Sequence, residues 1–192
     1  IHAQVMGGSF MRPPTGAELD QMRQLVAKAM QDGAVGLSTG LIYLPGTYTR
    51  TEELVELAKV AAAHGGIYAS HMRHENTLIF EALEELARIS REAHIRAEVS
   101  HIKLSGPTAW GRTAEVAAFL DRARAEGLDI TQDQYAYTAS STGIATLVPS
   151  DVREGGDDQF RARLTDPAQK ARMIEAMKSS LLASTRGDYA YA

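Results

Sequence analysis

Gly65-Gly66-Ile67-Tyr68-Ala69-Ser70-His71 is the stretch whose reading decides the fold. Two glycines turn the chain out of an amphipathic segment, a short β-prone run follows, and the run closes on polar side chains. The same order recurs on either side of it. Gly33 precedes Ala34-Val35-Gly36-Leu37-Ser38, Ala97-Glu98-Val99-Ser100 runs into His101, and Gly127 precedes Leu128-Asp129-Ile130-Thr131. The runs start near Val35, Ile67, Ala97 and Asp129, which are 32, 30 and 32 residues apart. That period holds one strand, one helix and two short loops, and parallel strands need such crossovers. Four βα modules in series therefore predict a parallel sheet.

The segments between the runs carry helical periodicity. Thr15 and Glu18 form a capping box ahead of Leu19, Met22, Leu25, Val26, Ala29 and Met30, with Gly33 as the stop. Helices are also expected from Thr51 to His64, through Leu78, Ile79, Ala82, Leu83, Leu86 and Ile89 to about His94, and from Thr113 to Glu126. After Pro149 the pattern changes. Asp151 to Asp158 is polar and Gly-rich, and Asp166-Pro167 reads as the N-cap and first position of a helix through Leu182. Residues 149–192 thus read as a helical excursion from a βα unit spanning 1–148, with Tyr189 to Ala192 entering a further strand.

Composition narrows the function. Of the 192 residues 44% are hydrophobic and 23% charged, as in soluble globular proteins. No apolar run is long enough to cross a membrane and no signal-peptide pattern opens the chain, so a cytoplasmic address and no membrane partner are expected. The net charge is −4 and Lys and Arg are interspersed with Asp and Glu, which argues against nucleic acid. Cysteine is absent, so any metal must be held by His and carboxylate. The chain begins at Ile1 and stops at Ala192 without a terminal cap; it reads as excised, and processing or an incomplete gene record would look the same.

Barrels of parallel βα modules place their chemistry at the C-terminal ends of the strands. Here the strand ends carry Ser38, Thr39 and Tyr43, then His71, then His101 and Lys103, then Asp133 and Tyr135. A lone strand-end His is ordinarily a hydrogen-bonded core or rim residue. Two of them, each preceded by Ser and at matching positions of adjacent modules, are harder to explain by packing and suit a divalent metal such as zinc. Zinc needs at least three protein ligands, and the others are not evident. His74 makes an HxxH spacing with His71, but its loop position reads as solvent-facing. His2, His64 and His94 fall at a terminus or at helix ends and read as structural. Lys103, two residues past His101, shares its face in a strand and suits a substrate carboxylate as well as it suits an ordinary ion pair. Tyr43, Tyr135 and Ser141 are candidates to line the same mouth, although aromatic strand ends also serve as core packing. Gly36-Leu37-Ser38-Thr39-Gly40 lacks the lysine and spacing of a phosphate loop.

Gly33 to Tyr43, Ser70-His71-Met72-Arg73, Ser100-His101-Ile102-Lys103 and Asp133-Gln134-Tyr135-Ala136-Tyr137 together resemble consecutive signature segments of the D-aminoacylase family of the amidohydrolase superfamily. The likeness runs from about Met6 to Val148. It implies a partial (β/α)8 TIM barrel, strands four to seven, with a Zn2+ centre whose ligands include His71 and His101. It also implies a site for N-acyl-D-amino acids in which Lys103, Tyr43, Tyr135 and Ser141 hold the substrate carboxylate. The family's HxH pair, its cysteine ligand and its general-base Asp have no counterpart in these residues, so none of its proton-transfer residues is expected in this chain. His74 stands where many relatives have an acidic residue, and Ala136 where Pro is common.

The resemblance implies amide hydrolysis in the complete enzyme and an inactive piece in isolation, since about 250 residues make a whole barrel. A half-barrel that pairs with the rest of the barrel or with another copy, as a non-catalytic assembly module, remains a second reading. A doubly wound nucleotide-binding sheet is a third, weakened by the absence of a Gly-rich first turn.

Overall fold

A computed structural model of the chain describes residues 1–134 and 147–184. Its centre is a four-stranded parallel sheet in the order β1 (Gly36–Gly40), β2 (Ile67–His71), β3 (Arg96–Ile102) and β4 (Ile130–Gln134). Neighbours in space are neighbours in sequence. A doubly wound sheet would reverse its strand order at a switch point, and the described strands never do. The architecture is α/β, an open run of a βα barrel.

The helices follow from the sequence pattern with small shifts. α1 (His2–Met6) was not expected; it precedes α2 (Gly16–Gln31), where Thr15 and Glu18 close both halves of the capping box. α3 (Thr51–Ala63), α4 (Ile79–Ala93) and α5 (Thr113–Ala125) are the three crossovers. α4 buries Ile79, Ala82, Leu83, Leu86, Ile89 and Ala93, the three-and-four spacing of a helix packed on one side. Each Leu or Ile so buried contributes on the order of 1.5–3 kcal/mol. After Pro149 the described residues form a 3-10 turn (Ser150–Arg153) and two α-helices, α6 (Asp157–Thr165) and α7 (Pro167–Ser184), where the sequence pattern pointed to one helix. Asp166 Oδ1 accepts from the backbone N–H groups of Ala168 and Gln169, as an N-cap should. The expected strand at Tyr189 to Ala192 lies outside the described residues.

Strand limits moved by about two residues at β1 and β4, toward the loops. Val35 is 82% exposed, outside the strand that its β-propensity suggested. Register assigns the two faces of the sheet. Leu37 and Thr39, Tyr68 and Ser70, and Ala97 and Val99 align on one face. Of these Tyr68, Ser70, Ala97 and Val99 are fully buried, and Thr39 Oγ1 bonds both the Tyr68 and the Ser70 hydroxyls. Ser38, Ala69, His71 and Glu98 fall on the opposite, less buried face. No helix of the described residues is long and apolar enough to cross a membrane.

His2 and Glu53 are both nearly fully buried, 3.7 Å apart, beside a cavity of about 380 Å³ that Ser38, Thr39 and Tyr43 also line. The distance resembles an ion pair, yet burial pushes the Glu53 carboxyl up to about 7 and the His2 imidazole down. Both shifts favour the neutral forms, so at neutral pH the His2 imidazole is neutral and the Glu53 carboxyl only partly ionised.

Two predictions follow from this packing. A Cβ on Gly36 would lie 2.1 Å from the Ile67 carbonyl oxygen, whereas one on Gly16 would meet nothing within 4 Å. Gly36→Ala should therefore cost at least about 2 kcal/mol in urea unfolding, while Gly16→Ala should be neutral or stabilising. For Glu53, a folded pKa above the unfolded one means that stability is fullest below about pH 4.5 and falls as pH rises to about 7. His2 acts in the opposite sense, losing stability as pH falls below the ordinary imidazole pKa of 6.5. Thermal melts of wild type and Glu53→Gln isolate the carboxyl: the variant should melt higher at pH 8, and the gap should close by pH 4.5.

Candidate metal centre

β2 ends on His71 and β3 carries His101, but the two do not occupy matching registers. The sheet pairs Ser70 with Val99, so the register partner of His71 is Ser100, and simple alternation would turn His101 to the opposite face. The expectation of equivalent positions is corrected by a bulge. β3 takes three steps from Val99 to Ile102 while β4 takes two from Gln132 to Gln134, and His101 sits at φ 42° inside the irregularity. The Asp133 side chain of β4 accepts the backbone N–H of His101 that the bulge leaves free of the ladder. One extra residue thus returns the imidazole to the His71 side.

The result is a compact cluster. His71 Nδ1 and His101 Nε2 lie 2.8 Å apart, with the rings T-shaped at 4.4 Å between centroids. Tyr43 stacks at a tilt on His71, 5.1 Å between centroids. Lys103 Nζ donates to Glu75 Oε1 at 2.7 Å and contacts His101 Nδ1 at 2.8 Å and the His101 carbonyl at 3.1 Å. Lys103 is only 10% exposed and Glu75 8%, so this is a buried ion pair and not a surface one. His71 is held below its usual pKa, first by burial and then by His101 and Lys103, against the pull of Glu75. A neutral imidazole is the form that binds metal.

The donor set fits a divalent cation. One ligand atom from each of His71, Glu75 and His101 lies within 4.8 Å of the others. His71 Nε2 is buried with no hydrogen-bond partner among the described residues, an arrangement that a ring oriented by something other than packing would explain. Zinc at 2.0–2.1 Å from two nitrogens in tetrahedral geometry needs them roughly 3.3 Å apart, so the observed pair would open by about half an ångström.

Arg73 fixes the surrounding loops. Its guanidinium makes two bonds to Glu85 at 2.9 and 3.0 Å and donates to the carbonyls of Thr47 and Thr49, tying the loop that follows Tyr43 to α4. His74, expected to face solvent, is half-buried, and burial lowers its pKa. It does not join the cluster. Glu75 was missed in the sequence, although its position four residues after His71 was the available signal. Of the anticipated site residues, the fold brings together His71, His101, Lys103 and Tyr43; Tyr135 and Ser141 lie outside the described residues.

The chain is 43% identical over 142 residues to a D-aminoacylase of Alcaligenes xylosoxydans xylosoxydans, covering 74% of this chain and 29% of that protein. The structure superposes on a D-aminoacylase described as defining a novel subset of amidohydrolases, with a TM-score of 0.69 and 37% identity over 74% of this chain and 31% of that one. It superposes also on an N-acyl-D-glutamate deacylase of Bordetella bronchiseptica, complexed with zinc and a phosphonate that mimics the tetrahedral intermediate. There the TM-score is 0.69 with 30% identity, over 94% of this chain and 44% of that one. No protein-family model matches the chain. It spans less than a third of the curated relative's length. The chain belongs to the D-aminoacylase family of metal-dependent amidohydrolases.

Proposed function

We propose that this chain supplies one part of a zinc centre, and one wall of the substrate site, in an enzyme that hydrolyses N-acyl-D-amino acids to a carboxylate and a free D-amino acid. The observation that carries the reading is the His71–His101 pair, 2.8 Å apart at the bulged end of β3. The zinc-bound phosphonate complex of the Bordetella relative supports both the metal and the reaction. Residues 1–148 would form the central part of the barrel and residues 149–192 a helical excursion from it.

His71 and His101 would hold the metal, which when bound lowers the pKa of water from 15.7 toward about 7 and polarises the amide carbonyl. The remaining ligands and the general-base Asp would come from outside these residues. Lys103 would meet the substrate carboxylate, with Tyr43, and by family resemblance Tyr135 and Ser141, beside it. Lys103 is already hydrogen-bonded to Glu75, so a substrate carboxylate would share the ammonium with it. Holding that carboxylate orients the scissile amide toward the metal. By itself the chain should be inactive, because the sheet has unpaired edges at β1 and β4 among the described residues and the ligand set is incomplete. Those same edges favour a second reading, in which the chain serves as a half-barrel that assembles with another chain or copy.

In the complete gene product, His101→Ala should remove bound zinc by elemental analysis and abolish N-acetyl-D-amino acid hydrolysis; retention of both would refute the assignment. Lys103→Ala should lower kcat/KM by roughly 10- to 150-fold, the worth of one charge-assisted hydrogen bond of about 1.5–3 kcal/mol. The separated chain, purified alone, should show no hydrolysis. Sedimentation at several concentrations then decides the second reading: a concentration-dependent dimer would favour assembly, a monomer would remove it.

A further inference from the structure

His71 ends β2 and Arg73 follows two residues later, and between them they hold both ends of the loop that carries Tyr43. At the near end the Leu41 N–H donates to the His71 carbonyl at 2.9 Å. At the far end the Arg73 guanidinium donates to the carbonyls of Thr47 at 3.0 Å and Thr49 at 2.8 Å. Inside the loop the Thr47 N–H donates to the Tyr43 carbonyl at 2.8 Å, and Gly46 lies so close to Gly40 that a Cβ on it would come within 2.4 Å of the Gly40 oxygen. The loop is folded back on its own start, and Thr47 links Arg73 to Tyr43. Tyr43 in turn stacks on His71, 5.1 Å between centroids, so the circuit closes on the strand from which it began.

A guanidinium suits this task because its N–H donors lie in one rigid plane. Arg73 directs two bonds to Glu85, at 2.9 and 3.0 Å, and two to the loop carbonyls. Glu85 is itself oriented: it stands on α4 and accepts from the hydroxyl of Thr51, the first residue of α3, at 2.9 Å. Its side chain is 11% exposed and that of Arg73 20%, so the pair is largely shielded from salt. The plane of the guanidinium is therefore set by two helices, and the carbonyls that it reaches are set with it. The Tyr48 hydroxyl adds a further anchor by donating to the Ser150 carbonyl, so loss of Arg73 loosens the loop without releasing it.

We infer that Arg73 is a positioning residue for substrate binding: through Thr47 it sets the place of Tyr43 against His71, and so the shape of the wall beside the substrate carboxylate. The inference rests on the reading proposed above, in which Tyr43 stands beside that carboxylate, and adds to it the group that puts Tyr43 there. The bonds of Arg73 go to Glu85 and to the loop, so its effect falls on substrate binding. A contact displaced by about an ångström from a distant substitution can cost up to about 100-fold.

The test is a double-mutant cycle in the complete gene product, with N-acetyl-D-amino acid hydrolysis and bound zinc measured on each variant. Arg73→Lys keeps a positive charge opposite Glu85 but, with all its donors on one nitrogen, cannot span the carboxylate and both carbonyls. It should raise KM roughly 10- to 100-fold, with kcat and zinc content little changed. Tyr43→Phe should also raise KM, and the two together should do no more than the larger alone, because a displaced Tyr43 has already lost the contact that its hydroxyl supplies. Unchanged KM or lost zinc in Arg73→Lys would overturn the proposal. Full multiplication of the two effects would overturn it as well, by making Arg73 a support of the scaffold that acts independently of Tyr43. If Arg73→Lys does not fold, Glu85→Gln, which keeps one hydrogen-bonding oxygen and withdraws the charge that orients the guanidinium, takes its place in the cycle with the same expectation. Unchanged KM in Tyr43→Phe means instead that the reading of Tyr43 as a neighbour of the substrate carboxylate is wrong, whatever Arg73 does.

Discussion

His101 reaches His71 because β3 carries one residue more than β4 between Val99 and Ile102, and the chemistry of this end of the sheet depends on that residue. A β-strand turns successive side chains to opposite faces, so a partner one position out of register points away. The bulge reverses that by placing His101 at φ 42°, a left-handed conformation costing a non-glycine residue on the order of 1–3 kcal/mol. Such a conformation persists only where the surroundings hold it. Here the Asp133 side chain takes the His101 N–H from the next strand, and the Lys103 ammonium curls back to the His101 carbonyl and ring. The strained backbone and the residues that stabilise it are thus also the residues that build the site.

Around this point the structure is stiff on one side and open on the other. Behind the sheet, α4 and its neighbours bury a continuous apolar layer, and the hydroxyls of Thr39, Tyr68 and Ser70 satisfy one another inside it. Arg73 locks the loop after β1 onto α4 with four hydrogen bonds. The strand ends are therefore presented from a fixed scaffold, the condition for metal ligands to meet with little reorganisation. The flanking edges of β1 and β4 stay unpaired among the described residues, consistent with a chain that covers 29% of the curated D-aminoacylase it matches.

The buried charges divide by function. The pair Lys103–Glu75 is close and hydrogen-bonded, sits at the strand ends and touches both histidines. The pair His2–Glu53 is equally buried, but its shifts favour neutrality and its polar atoms lack partners among the described residues. Burial without a hydrogen-bonded counter-charge drives a group to its neutral form. The first pair is a close hydrogen-bonded ion pair beside the candidate metal centre; in the second, burial opposes charge on both partners.

Much of this was legible in the residues. The period from Val35 to Asp129, the glycine stops and the Thr15–Glu18 cap are local features, and local propensity and hydrophobic periodicity determine them without reference to the rest of the chain. The repeated Ser-His pair and the family motifs likewise single out His71, His101, Lys103 and Tyr43 as candidates. What the sequence could not contain was the register between strands, because register is a relation between segments 30 residues apart set by the packing of the whole sheet. Aligning Ser70-His71 with Ser100-His101 suggested equal positions; the sheet paired Ser70 with Val99 and needed a bulge to restore the geometry. Glu75 escaped for a similar reason. Its place four residues after His71 was the available signal, but only the folding of two loops against each other brings its carboxylate to Lys103 and to 3.3 Å from His101 Nδ1.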